Sequence, residues 1–128
     1  MRQEYRWAKR SIYLITYACY VGNIKSAEYL LLYGANIAAI NSCGQSTLNL
    51  AIWSGIPEMV KFILSKRSYQ QFVKSSLIPP ICVAELRNWD SMVTYLKKQH
   101  GAESSEQTVH GLNHNHIKML KNAAYNRN

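Results

Sequence analysis

Ala18-Cys19-Tyr20-Val21-Gly22-Asn23-Ile24 and Ala51-Ile52-Trp53-Ser54-Gly55-Ile56-Pro57 carry one pattern 33 residues apart, and each leads into an apolar segment that ends in a turn. Self-similarity at a fixed period of about 20 to 50 residues marks a stacked array, because no single unit of such a chain buries its own apolar face. Function then belongs to the surface that the stack presents.

Working outward from Gly22, residues Ile24, Ala27, Leu30 and Leu31 lie on one helical face, and Gly34 suits a left-handed helix stop. Met59, Val60, Ile63 and Leu64 repeat that face after Gly55. A further step of 33 from Leu48, Leu50 and Ala51 reaches Ile81, Val83 and Ala84, with Pro80 suited to a first helical position. Trp89, Met92, Val93 and Leu96 then form another apolar face before Gly101. Three helix pairs are therefore expected.

The pattern resembles the ankyrin repeat, a β-turn followed by two antiparallel helices. Gly44, Leu48, Leu50, Ala51 and Gly55 match it in the second unit, and Ala18, Gly22, Leu30, Leu31, Gly34-Ala35-Asn36-Ile37 and Ala39 in the first. The third keeps Pro80, Ala84 and a displaced Gly101-Ala102. The fold implied is all-α, a short ankyrin solenoid of about three repeats, at about 11–43, 44–76 and 77–110, within one domain spanning 1–128. Residues 111–128 form either a capping half repeat, with a helix over about Leu112 to Tyr125, or a basic tail. No unit keeps the family's full T-P-L-H; the second reads Ser46-Thr47-Leu48-Asn49. Asn88 stands where the third unit should have its glycine, so that turn is expected to be reached differently. Residues 67–78 lack Gly-Ala-Asp, and an irregular or partly helical connector is expected there. Residues 1–11 suit either a truncated stack or an N-terminal helix that shields the first repeat.

The 128 residues carry a net charge of +8. Residues 1–11 hold Arg2, Arg6, Lys9 and Arg10 against Glu4, a net +3, and the stretch from Lys97 onward, with Arg127, contributes another +3. The positive charge thus sits mostly at the two ends. Cys19, Cys43 and Cys82 show no metal-finger spacing and fit a reducing compartment. No apolar run reaches the roughly 20 residues that span a bilayer. An intracellular protein is expected, in cytoplasm or nucleus, including the cytoplasm or nucleus of a host cell.

Chemistry has little support in the residues. The seven acidic side chains form no recognisable pair, and no nucleophile elbow, P-loop or dinucleotide fingerprint is present. His110, His114 and His116 lack the cysteine or acid that would complete a tetrahedral metal set. Neither enzyme activity, nor a cofactor, nor a metal is expected. Cys19 and Cys82 read as small core residues, and Cys43 as a more exposed one on a hairpin tip.

What the resemblance implies is protein recognition through a concave groove and the hairpin tips, as adaptor, inhibitor or effector. The family's variable positions map to Tyr20 and Val21, to Trp53 and Ser54, and to Leu86 and Arg87, with Ser42, Cys43 and Gln45 on the hairpin beside them. Tryptophan, tyrosine and arginine dominate interface energetics, so Trp53 becomes the expected centre of the groove. The alternative is that Trp53 packs against a neighbouring repeat. A second functional reading is a basic binder of nucleic acid or another acidic surface, in which Arg2, Arg6, Trp7, Lys9 and Arg10 interleave charge with aromatics. Against it, Tyr5, Trp7 and Ile12 could cover the open end of the stack. A protein partner is the first expectation; its identity and the oligomeric state are not encoded in any motif.

Overall fold

The computed structural model describes residues 2–125 of the chain, with side chains over residues 6–124. Part of the two ends, namely the side chains of Arg2, Glu4 and Tyr5 and the whole of Arg127, lies outside the described residues. Eight helices follow in order: α1 (Arg2–Val21), α2 (Ile24–Leu32), α3 (Thr47–Ser54), α4 (Pro57–Lys66), α5 (Tyr69–Ser75), α6 (Pro80–Leu86), α7 (Asp90–His100) and α8 (His114–Tyr125). The chain is an all-α solenoid of stacked helix pairs. α1 packs on α3, α3 on α6 and α6 on α8, which makes an inner row. α2, α4 and α7 pair with the first three of these from outside. Among the described residues, no helix is long and apolar enough to cross a membrane.

The turn inside each pair explains the 33-residue echo. Gly22 and Gly55 adopt φ of 76° and 75°, a left-handed conformation that glycine enters without steric cost. The Gly22 N–H donates to the Cys19 carbonyl and the Asn23 N–H to the Ala18 carbonyl, which closes α1. Asn88 corrects the expectation of a different turn. With φ of 59° it donates to the Glu85 carbonyl, and Trp89 donates to that of Ala84, so asparagine reproduces the glycine turn. Its short polar side chain tolerates the left-handed region better than most.

The buried positions follow the expected faces. Ile15 and Cys19 of α1, Leu48, Ala51 and Ile52 of α3, and Ile81, Val83 and Ala84 of α6 form the central layer, with Met59, Val60, Ile63, Met92 and Leu96 from the outer row. Burial of this kind contributes roughly 25 cal/mol per Å² of apolar surface.

Two hairpins project from the stack, closed by the bridges Ile40↔Ser46 and Gln107↔Asn113. The second carries Gly111 at φ 80°, as Gly44 does at 76° in the first, and α8 follows it. Residues 102–125 therefore form a hairpin and a helix rather than a tail. Between α4 and α6 no hairpin forms. Residues 67–78 instead contain α5, whose Tyr69 and Phe72 are buried, with the Arg67 guanidinium 4.9 Å from the Phe72 ring centroid. The Tyr69 hydroxyl donates to Glu106 Oε2 at 2.7 Å and accepts the Ile81 N–H at 3.2 Å. α5 thereby links α6 to the base of the last hairpin.

At the other end, α1 runs back to Arg2 as one 20-residue helix. The N-terminal residues are thus helical and continuous with the first repeat. Trp7 turns toward α2, and its Nε1–H donates to the Tyr33 carbonyl at 3.1 Å, one of the acceptors that a helix end leaves open.

Candidate interaction surface

α1 places Tyr13, Tyr17 and Tyr20 at i, i+4 and i+7, hence on one face. They remain 68%, 55% and 54% exposed. The rings of Tyr13 and Tyr17 lie 10° from parallel with centroids 6.2 Å apart. With Thr16, Leu50 and the hairpin residues Asn41 and Ser42 they enclose a hollow of about 300 Å³. The hairpin tip is rigid enough to serve as a wall, because Asn41 Oδ1 accepts the N–H groups of Cys43 and Gln45 at 3.0 and 2.9 Å.

A second hollow, about 410 Å³, opens where the missing hairpin would have stood. Leu77 and Ile78 form its floor. Leu77 lies so close to Gly44 that a Cβ there would sit 2.2 Å from its Cδ1, and its carbonyl accepts the Val109 N–H at 3.0 Å. The Ile78 carbonyl accepts Asn49 Nδ2 at 2.8 Å, so the buried Asn49 binds the second unit to the third. Leu86, Leu112 and Leu120 line the walls, with Cys43, His110 and Lys121 also facing this notch. Leu77, Leu86, Val109, Leu112 and Leu120 are all exposed, which is an unusual concentration of apolar surface for one face.

Behind the notch, Glu85 is only 5% exposed. A buried carboxylate needs partners. His114 Nε2 lies 3.0 Å from Glu85 Oε2 and Lys121 Nζ 3.4 Å from Oε1, while the lysine also donates to the Glu85 carbonyl. The cluster fastens α8 to α6. Several other ionisable groups are also occupied by structure. Burial pushes the Cys19 and Cys82 thiols up to about 12, and burial, reinforced by Glu106, raises Tyr69 well above the ordinary tyrosine value. His100 contacts the Tyr95 hydroxyl at 3.1 Å, and desolvation lowers it from 6.5. His116 accepts the Asn113 N–H through Nδ1. The imidazoles of His100, His114 and His116 thus serve separate neighbours, and among the described residues no three metal-binding side chains gather.

The residues singled out from the sequence divide among these places. Tyr20 and Ser42 line the tyrosine hollow, and Cys43 and Leu86 line the notch. Val21 faces a different hollow between α1 and α2, with Leu14, Tyr29 and Leu30. Arg87 shares a shallow recess with Gly55, Asn88 and Trp89, and its Nε donates to the Trp53 carbonyl at 3.1 Å. Trp53 and Ser54 are half-buried; Trp53 packs against the core and lines neither main hollow. The Gln45 Oε1 atom is buried and finds no partner. Sequence reasoning missed Tyr13, Tyr17, Leu77, Leu112 and Leu120. The tyrosine spacing was a usable signal; the leucines carried none, because their meeting depends on the absent hairpin.

A family model described as ankyrin repeats (many copies) matches residues 15–64. The DNA replication inhibitor plutonium of Drosophila melanogaster is 45% identical over 96 residues, which cover 74% of this chain and 55% of that protein. The chain thus spans a little over half the length of this curated relative.

Proposed function

The chain is an ankyrin-repeat protein, and from that premise we propose that it acts without chemistry of its own, as an inhibitor that occupies a protein partner through its concave face. One observation carries the reading: the inner row presents an aromatic hollow and an apolar notch side by side, both walled by hairpins. Contiguous exposed apolar surface of this kind marks association sites, and tyrosine anchors in desolvated pockets supply a large share of interface energy. Similarity to a protein named for inhibiting DNA replication supports placing the partner among components that control replication, and so in the nucleus. An animal relative also favours an endogenous regulator over a host-directed effector.

The test is selection of binding peptides from a random display library on the wild-type chain. Binders are expected to lose at least tenfold in affinity for a Leu86→Glu, Leu112→Glu double variant. They should retain it for Leu32→Glu, a change on exposed α2 surface outside both hollows. Equal binding to all three proteins would place recognition elsewhere.

A further inference from the structure

Among the described residues, the exposed acidic side chains on the paired helices are sorted by side. Glu28, Glu58 and Asp90 lie on the outer helices α2, α4 and α7 and are exposed. Of the described acidic side chains, only the buried and paired Glu85 belongs to the inner row. None of the residues lining the tyrosine hollow or the notch is acidic.

On α1, Arg6, Arg10, Tyr13, Tyr17 and Tyr20 recur at steps of four and three, which keeps them within about 80° of the helix circumference at 100° per residue. All five are exposed, and Lys9 stands exposed beside them. No described ion pair uses Arg6, Lys9 or Arg10; the two present both involve Glu85. A little over one turn of cations thus continues into two turns of tyrosines that open on the groove.

We propose that this wall of the groove recognises an acidic segment of the partner protein, with carboxylates on Arg6, Lys9 and Arg10 and neighbouring apolar side chains on Tyr13, Tyr17 and Tyr20. The inference rests on the protein-recognition reading and names the chemistry of what is recognised. Guanidinium groups bind carboxylates in paired hydrogen bonds. Tyrosine offers apolar area at low entropic cost. Positive potential along the approach raises the rate of encounter with an acidic chain.

Protein is favoured over single-stranded nucleic acid by two details. Trp7, the aromatic among the cations, is turned away and spends its N–H on Tyr33. Tyr13 and Tyr17 stack on one another, which reduces the ring faces available to bases.

The experiment compares three labelled probes on the full chain by fluorescence anisotropy. They are a 15-residue peptide alternating Asp or Glu with Leu and Phe, its Asn and Gln counterpart, and a 15-nucleotide oligo-dT. The acidic peptide is expected to bind at least tenfold more tightly than its amide counterpart at 50 mM salt. The margin should shrink at 300 mM and vanish for an Arg6→Glu, Arg10→Glu variant whose circular dichroism and Tm are unchanged. Tyr17→Ser should weaken the acidic peptide while leaving its salt dependence in place. Equal affinity for the two peptides overturns the proposal, and so does tighter binding of oligo-dT. If display-selected peptides still depend on Leu86 and Leu112 while showing no preference for acid, this inference fails and the protein-recognition reading stands. If neither dependence appears, both fail.

Discussion

Asn88 concentrates the residue-scale lesson. A left-handed conformation costs an ordinary L-residue roughly 1–2 kcal/mol, and asparagine less because its side chain bonds locally. Asn88→Val is therefore expected to lower stability by about 1–2 kcal/mol, and Asn88→Gly to change it by less than about 0.5 kcal/mol, measured by urea unfolding. Comparable losses would show that side-chain contacts, not φ, set the preference. Trp53 shows the opposite limit of reading residues singly. Its place after Ala51-Ile52 points to a groove, yet the ring packs against the core. Truncation there removes packing as well as surface, so binding and stability change together. Tyr13 and Tyr17 were legible by spacing alone, whereas no local pattern separates the exposed Leu77 from a core leucine.

At the scale of the element, helix pairing was readable because it is set locally, by a 3.6-residue apolar period and a residue that accepts positive φ. What replaced the missing hairpin was readable only as a departure from pattern. α5 exists because Tyr69 and Phe72 find a place to be buried, and Tyr69 is fixed by Glu106, 37 residues away. α8 likewise depends on a distant pair. Removing the imidazole leaves Glu85 short of a buried partner, a loss of about 1–3 kcal/mol. His114→Ala should therefore speed hydrogen exchange across residues 114–124 while leaving α3 protected. Uniform acceleration across both helices would mean that α8 and the stack open as one unit.

For the whole molecule, the thiols of Cys19 in the first unit and Cys82 in the third, and the phenol of Tyr69 beside Cys82, are all held in their neutral form by burial. Their folded values lie above the unfolded ones, near 9 for the thiols and 10 for tyrosine. The stability they contribute is complete below about pH 9 and is lost as pH rises toward their folded values. The urea midpoint is expected to fall steadily above about pH 9, with a shallower fall in a Cys19→Ala, Cys82→Ala variant. A flat profile to about pH 11 would show that these groups ionise without unfolding.

Sequence alone determined the repeat, the helix pairs, the two glycine turns and the apolar faces. All of these follow from interactions a few residues long, repeated at a fixed period. Tertiary structure decided that Asn88 fills a glycine's role, that Trp7 closes α2, and that Glu85 is held by α8. It also decided that five scattered apolar side chains meet in a notch and that no described acidic side chain lines either hollow. Those outcomes depend on which surfaces come together when the units stack, and burial and charge pairing are settled only there.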